Sequence, residues 1–366
     1  MSEGTSRSRV AFVDWLRLLA ALQMIVGHTV DAVVEDGARA SGWFATWTQL
    51  RGLTAPAFLV TSGISYALAT RLDDEAAYVA LRAREGARRR RVIRSVWLIV
   101  LGTLLHAFDA PWVIDVLQCV GASLLFLDVV VTWLPRPSHV VALATCLAFA
   151  VLVSARPIEG AFAASDHTGL ARYALGWIDE DGGSLFPLIP WAFYVLVGLG
   201  VARITIPDGA RTAPGTMVMR LAGASVVALV VSAACDAWSA PTAESWSSHP
   251  AVLLARTGAV LGAASVLAAI GSRWDLPAWG TTLAGETLTL YVVHLLVLFA
   301  AAVGPARVWP HALSLEASFA LAAAMLALSA GVALGWARVW PPIERRWMPW
   351  LRGPLRSASA TAKNEA

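Results

Sequence analysis

Charged side chains are scarce in this chain: they make up 14% of its 366 residues, whereas hydrophobic residues make up 57%. A typical soluble domain has about 25% charged residues, so the composition excludes a water-soluble fold. Apolar runs recur from residue 11 to residue 340 with no long polar stretch between them. The simplest architecture for such a sequence is one continuous bundle of membrane-spanning helices.

Cysteine is also rare. The three cysteines, Cys119, Cys146 and Cys235, lie in separate apolar segments without paired spacing, which excludes a disulfide framework and a cysteine zinc site. The sequence likewise lacks a cluster of metal ligands, a phosphate-binding glycine loop and a Ser-His-Asp order. We therefore predict no metal cofactor and none of the usual chemistries of soluble enzymes.

Lysine is nearly absent, and the arginines are concentrated in one loop. The segment RLDDEAAYVALRAREGARRRRVIR, residues 71–94, contains eight of them. Because positively charged short loops stay in the cytoplasm, this loop and, by alternation, both chain termini are predicted to be cytoplasmic. The net charge of +3 then reflects an arginine belt facing anionic lipid headgroups rather than a nucleic-acid site. The lysine-poor composition is typical of a GC-rich bacterial gene and favours a plasma-membrane location.

Ten apolar segments approach the ~20 residues that a helix needs to cross the hydrocarbon core. They predict an all-α, polytopic transmembrane bundle of about ten helices. The predicted spans are 11–33, 53–70, 92–108, 112–134, 138–155, 185–203, 217–236, 251–270, 281–303 and 314–337. The corresponding domain boundaries are a cytoplasmic N-terminus over 1–10, a membrane domain over 11–340 and a cytoplasmic tail over 341–366. The tail is expected to be basic and then disordered, because its last residues are small and polar.

The first span, VAFVDWLRLLAALQMIVGHTV, contains the densest set of polar residues. Arg17 and His28 are eleven residues apart, which is almost three helical turns, so both face the same way and are separated by roughly 17 Å along the axis. Asp14 lies three residues before Arg17 on the same stripe and could pair with it. The simpler alternatives are a snorkelling cation for Arg17 and a hydrogen-bonded histidine at the outer interface for His28.

An arginine, ten intervening residues and a histidine on the first helix resemble the signature of membrane acyltransferases. APAFLVTSGISYAL, residues 55–68, resembles their second span, and DVLQCVGASLL, FPLIPWAFYVLVGL and LAGETLTLYVVHLL resemble later spans in order. Over nearly its whole length the chain is most similar to heparan-alpha-glucosaminide N-acetyltransferase-like proteins, with the acyltransferase type 3 family as a sister. The large luminal region of the human-type enzymes has no counterpart here, so the same acceptor is not implied.

The resemblance implies transfer of an acyl group, most often acetyl, from cytoplasmic acyl-CoA to a hydroxyl or amine of an extracytoplasmic carbohydrate. It implies that His28 is catalytic and that Arg17, supported by Asp14, binds the polyanionic donor. A neutral imidazole suits general-base work at neutral pH, and a route through an acyl-histidine is the alternative. Membrane lipids, acyl-CoA and the carbohydrate are the expected partners, and the resemblance leaves a homodimer open.

Further polar residues in later spans are predicted to line the substrate path. Tyr291 and His294 share one face of the predicted ninth span, with Glu286 about a hundred degrees away, and they resemble a Tyr-x-x-His element of the family. Asp115 and Gln118, one turn apart, resemble its Asp-x-x-Gln. The alternatives are a helix cap for Asp115 and a packing residue for His294. His106 and Arg256 belong to no motif that the sequence identifies, and interfacial roles are expected for both.

A second class of function fits the same residues. In a proton-coupled transporter or flippase of a polar substrate, the stripe of Asp14, Arg17 and His28 would form a proton or substrate path. The sequence contains no recognisable inverted repeat, which favours the acyltransferase over the transporter.

Overall fold

The fold is taken from a computed structural model, which describes residues 10–107, 113–162, 169–178, 184–241, 247–300 and 303–347. The predictions for residues 1–9 and for the tail beyond residue 347 lie outside the described residues. Helices joined by loops make up the described chain. They are α1 Ala11–Val33, α2 Asp36–Arg39, α3 Gly42–Arg51, α4 Thr54–Thr70, α5 Glu75–Arg82, α6 Glu85–His106, α7 Val116–Trp133, α8 Pro137–Phe162, α9 Gly169–Gly176, α10 Leu188–Thr205, α11 Pro214–Trp238, α12 Pro250–Gly271, α13 Ala278–Gly285, α14 Thr287–Leu298, α15 Pro305–Val308 and α16 Leu315–Trp347.

Eight helical segments of the described chain are long and apolar enough to cross a membrane, and a bent pair makes a ninth if it counts as one span. This finding confirms the prediction of an all-α polytopic bundle. The predicted span 92–108 overlaps the second half of α6, but this helix is not among the nine, because its first half, EGARRRRVIR, carries too many charges. The last helix, α16, continues to Trp347, seven residues past the predicted end of the membrane domain.

The bent pair corrects the prediction of a single straight span over 281–303. α13 ends at Gly285 and α14 begins at Thr287, and the two helices meet at an angle of 72°. Between them Glu286 leaves the helical conformation, with φ −103° and ψ 26°. Its carboxylate accepts a hydrogen bond from Thr289 Oγ1 at 2.7 Å. A hydropathy average cannot detect such a break, because the residues on both sides are apolar.

The first helix, α1, lies inside the bundle and packs against α4, α12, α14 and α16. Ala21 and Ile25 have no exposed surface. Helix α1 therefore carries its polar residues into the interior, where each must find a partner or face a cavity.

Close approach of α4 and α10 depends on two glycines. A Cβ on Gly63 would lie 2.0 Å from the Val195 carbonyl oxygen, and a Cβ on Gly198 would lie 2.2 Å from the Val60 carbonyl oxygen. The two contacts are reciprocal, since each glycine faces the backbone of the other helix. Small residues commonly allow such backbone contact between membrane helices.

The arginine-rich segment, residues 71–94, closes one end of α7. Tyr78 donates its hydroxyl hydrogen to the Leu134 carbonyl at 2.7 Å, and Arg82 donates to the carbonyls of Val131 and Thr132 at 2.9 and 2.8 Å. These bonds satisfy carbonyls that have no partner within the helix, and a cation there suits the helix dipole. Burial raises the pKa of the Tyr78 hydroxyl. The segment is thus a packed part of the fold.

Candidate active site

Two adjoining cavities begin at the arginine-rich segment. The first, which we call the mouth cavity, has a volume of about 1050 Å³, and its charged lining residues are Asp14, Arg17, Arg71, Asp73, Asp74, Arg84, Asp208 and Arg211. The second, the inner cavity, has a volume of about 490 Å³. Arg17, Ser65 and Ala69 line both cavities. Arg17 therefore lies where the two spaces meet.

Arg17 is fixed at this junction by a contact between α1 and α4. Its Nη2 donates to Ser65 Oγ at 2.5 Å, and Ser65 donates in turn to the Thr61 carbonyl at 2.5 Å. Asp14 lies one turn earlier on α1 and lines the mouth cavity together with Arg17. The structure thus places the two residues predicted to bind the donor in one cavity, as their spacing indicated.

The inner cavity has a charged lining at one end and a mostly apolar lining elsewhere. Arg17, Arg91 and Arg94 line it together with Asp128, whereas Met24, Leu117 and Tyr291 belong to its less charged part. Its volume lies within the range of about 300–1,000 Å³ that is common for ligand sites. One end can thus hold anionic groups while the rest accommodates a slender, mostly apolar chain.

A pair of histidines lies one helical turn beyond Met24 and Tyr291. His28 Nδ1 and His294 Nε2 are 2.9 Å apart, and the two rings stack with centroids 5.2 Å apart. His294 is completely buried, whereas His28 is partly exposed. The structure therefore joins two predicted site residues from opposite ends of the sequence.

Hydrogen bonding fixes the tautomers of this pair when both rings are neutral. His294 Nδ1 lies 3.0 Å from the Leu290 carbonyl oxygen, and because a carbonyl can only accept, Nδ1 must carry the hydrogen. His294 Nε2 is then an acceptor, so His28 Nδ1 must donate to it. The remaining nitrogen, His28 Nε2, is left with a free lone pair. That atom can take a proton or attack a carbonyl.

Asp115, Gln118 and Tyr291 form a buried network next to the histidines. Tyr291 donates to Asp115 Oδ1 at 2.5 Å, and its ring packs edge-on against His294. The Asp115 amide donates to Gln118 Oε1 at 2.8 Å, as in a capping box. His106 Nε2 lies 3.3 Å from Asp115 Oδ2. Asp115 is thus the N-cap of α7, which is the alternative that the sequence analysis gave for it. Its carboxylate also binds the Tyr291 hydroxyl.

The predicted lining residues differ in their relation to the inner cavity. Tyr291 lines it. Asp115, Gln118 and His294 are not among its lining residues but belong to the network around Tyr291. Glu286 lies at the break between α13 and α14. His106, which was expected to be interfacial, joins this network through Asp115.

Sequence reasoning missed a second buried cluster at the charged end of the inner cavity. Asp128 is 2% exposed and accepts hydrogen bonds from Tyr66 at 2.9 Å and from Arg91 Nε at 2.7 Å. The signal was present, since Asp128 is a lone acid in the apolar run LLFLDVVV. An isolated charge within a span usually marks a partner or a cavity.

No ligand cluster for a metal ion, defined as three or more His, Cys, Asp or Glu side chains, is found among the residues that the structure describes. The polar groups next to the inner cavity are imidazole, phenol, carboxylate and guanidinium. They can move a proton and bind anionic groups.

Comparison with known proteins identifies one family. The model described as heparan-alpha-glucosaminide N-acetyltransferase, catalytic, matches residues 9–234, which is more than half of the chain. The matched region includes α1 with Arg17 and His28 and ends within α11, so α12 and α14 lie beyond it. No curated protein matches the chain.

Proposed function

Because the chain belongs to the heparan-alpha-glucosaminide N-acetyltransferase family, a membrane acetyltransferase family as the first helix predicted, we propose a specific reaction for it. The enzyme transfers an acetyl group from cytoplasmic acetyl-CoA to a hydroxyl or amine of a carbohydrate on the other side of the plasma membrane. The observation that carries this proposal is the hydrogen-bonded pair of His28 and His294, one turn beyond a cavity lined by arginines.

The donor fits the two cavities by charge and shape. The nucleotide of CoA is polyanionic. The mouth cavity presents Arg71, Arg84 and Arg211 together with Arg17, which are balanced by four aspartates, and Arg91 and Arg94 at the charged end of the inner cavity add two more cations. Guanidinium groups bind phosphate through paired hydrogen bonds. The narrow pantetheine arm then extends through the inner cavity, along the roughly 17 Å of α1 that separates Arg17 from His28. The thioester reaches the histidine pair while the nucleotide stays at the mouth.

The tautomer of His28 suits the chemistry of acyl transfer. Its Nε2 takes the proton of the acceptor as the acceptor oxygen or nitrogen bonds to the thioester carbonyl carbon. The carbon–sulfur bond breaks, and the proton passes from Nε2 to the departing thiolate. His294 accepts a hydrogen bond from the Nδ1 hydrogen of His28 throughout, which stabilises the transient imidazolium. An acyl-histidine route uses the same lone pair as a nucleophile.

The test measures turnover of radiolabelled acetyl-CoA by the purified protein with a mixture of glycan acceptors. We expect His28→Ala to lower the rate by at least ~100-fold, the usual scale for a general base. Arg17→Ala should mainly raise the KM for acetyl-CoA. His139→Ala is the matched control, because His139 is an exposed histidine at the start of α8, outside both cavities.

A second candidate function is favoured by the break at Glu286. Transporters often bind their substrates at discontinuous helices such as the pair α13 and α14. If the wild-type protein neither binds nor turns over acetyl-CoA, the proposed reaction is wrong. Proton-coupled transport then becomes the function to test, by uptake into proteoliposomes.

A further inference from the structure

A second polar site surrounds the outer half of α1, on the other side of the bundle from the mouth cavity. Gln23, Gly27 and Asp31 follow each other at four-residue spacing and therefore share one face of the helix. The side chain of Arg51, at the end of α3, crosses this face. A Cβ on Gly27 would lie only 2.8 Å from Arg51 Cδ, and Arg51 forms an ion pair with Asp31.

Arg256, on α12, approaches the same place from the opposite side. Its Nη2 lies 3.8 Å from the position that a Cβ on Gly52 would take, and Gly52 directly follows Arg51. The guanidinium lies over the Trp191 ring, 5.9 Å from its centroid. Trp191 thus provides a cation–π contact, but the ion pairs found among the described residues do not include Arg256.

Four side-chain atoms in this region are buried and have no hydrogen-bond partner within the described structure. They are Gln23 Nε2, Asp31 Oδ1, Thr54 Oγ1 and Arg256 Nη1. We call these residues and Arg51 the outer corner. Most buried polar groups in proteins are paired, and an unpaired one within a membrane is especially costly. Several such atoms at one corner indicate a site built for a polar ligand.

The chemistry of the outer corner specifies the ligand. Gln23 and Arg256 offer hydrogen-bond donors, Asp31 offers an acceptor, and Thr54 can do either. The charges of Arg51 and Asp31 balance, so Arg256 leaves one positive charge over. A ligand with several hydroxyl groups and one anionic substituent would satisfy all of these groups.

We propose that the outer corner binds the acyl acceptor, and that this acceptor is a hydroxyl-rich glycan unit with an anionic substituent. The inference rests on the proposed acetyl transfer and adds the second substrate site to it. Gly27, over which Arg51 passes, is the neighbour of His28 in α1. Donor and acceptor therefore reach His28 from different sides of the bundle, and Arg256 is a specificity residue for the acceptor.

The experiment compares two probes, a glucuronate-containing oligosaccharide and the same oligosaccharide after reduction of its carboxyl groups. Binding to the purified full-length protein is measured by equilibrium dialysis without acetyl-CoA. We expect wild type to bind the acidic form at least ~10-fold more tightly, and Arg256→Gln to remove this preference. Arg256→Lys should retain most of it. Arg220→Gln, at an exposed arginine outside the outer corner, is the matched control and should bind like wild type.

Acetyl-CoA hydrolysis by the same variants separates this inference from the proposed function. If Arg256→Gln keeps the wild-type KM for acetyl-CoA and loses only the preference for the acidic oligosaccharide, both stand. Equal binding of the two probes by wild type, no binding of either, or an unchanged preference in Arg256→Gln would each overturn the acceptor site. If wild type does not turn over acetyl-CoA, the proposed reaction is wrong instead.

Discussion

At the scale of single residues, the catalytic role that we propose for His28 depends on a side chain 266 positions away in the sequence. His294 holds the Nδ1 hydrogen of His28 and so leaves Nε2 with its lone pair. We predict that His294→Ala lowers kcat by about 100-fold, because His28 can then adopt the tautomer that carries its hydrogen on Nε2. His294→Gln should recover part of the rate, since a glutamine oxygen can accept the same hydrogen. The KM for acetyl-CoA should not change, and a large rise in that KM would contradict this role of His294.

Gly27 provides a second test at this scale. Alanine favours a helix over glycine by about 1 kcal/mol, which offsets part of the cost of moving Arg51, so Gly27→Ala should still fold. The new methyl group would displace Arg51 from its place beside Asp31. We therefore expect the KM for the acceptor to rise by about tenfold, with an unchanged KM for acetyl-CoA. Steady-state kinetics with each substrate varied in turn measures the two KM values. A rise in the KM for acetyl-CoA without a rise in the KM for the acceptor would refute the outer corner as the acceptor site.

The sequence predicts contacts within one helix better than contacts between helices. Arg17 and His28 lie on one helix, so their relation is contained in a spacing of eleven residues. Arg51 and Arg256 meet α1 from other helices, and no spacing within one segment shows such a contact. The pair of His28 and His294 was anticipated only as two separate residues, because resemblance identifies the positions but not the bond between them.

At the scale of helices, the contact of α4 with α10 is set by Gly63 and Gly198. We predict that Gly63→Ala destabilises the protein by about 1–3 kcal/mol or more, since the methyl group would meet the Val195 carbonyl at 2.0 Å. Gly223→Ala is the matched control, because nothing lies within 4 Å of its Cβ position on α11. Thermal unfolding in detergent should separate the two variants, and equal melting temperatures would refute the close approach.

The ion pair of Arg91 and Asp128 joins α6 to α7 within the inner cavity. The Asp128 side chain is 1% exposed and that of Arg91 is 16% exposed, so removing one partner leaves a buried charge. We predict that Arg91→Leu destabilises by about 3–5 kcal/mol, and that adding Asp128→Leu recovers most of this loss. Thermal unfolding of the two variants and wild type measures the difference. If the double variant unfolds at a lower temperature than Arg91→Leu, the unpaired buried charge is not the cause of the destabilisation.

The helices themselves were largely predictable, because membrane spans are long and apolar. The exceptions have local causes. Five arginines precede the apolar half of α6, so its hydropathy differs from that of the other spans. The break at Glu286 depends on one residue leaving the helical conformation between two apolar helices. Periodicity placed Glu286 on the same straight helix as Tyr291, and the bend invalidates that geometric relation.

At the scale of the whole molecule, the two substrates that we propose require two different environments. The mouth cavity is lined by four arginines and four aspartates, and together with Arg91 and Arg94 of the inner cavity its arginines can bind the several phosphates of a large polyanion. The outer corner has a balanced ion pair and one further cation, and it suits a smaller anionic group. A single histidine pair between them can serve both sites because α1 extends through the bundle from one to the other.

This arrangement requires a definite orientation in the membrane, which cysteine labelling can test. The three native cysteines are first replaced by alanine. Ala83→Cys then marks the arginine-rich segment, and Ala40→Cys marks the connection from α2 to α3, which follows the outer end of α1. Both positions are exposed. Because short arginine-rich loops remain in the cytoplasm, a membrane-impermeant maleimide should label Ala40→Cys in intact spheroplasts and Ala83→Cys only in inverted vesicles. The reverse pattern would place the mouth cavity outside, where cytoplasmic acetyl-CoA cannot reach it. The donor would then have to enter at the outer corner, which has two arginines where the mouth and inner cavities together have six, and the assignment of both sites would fail together.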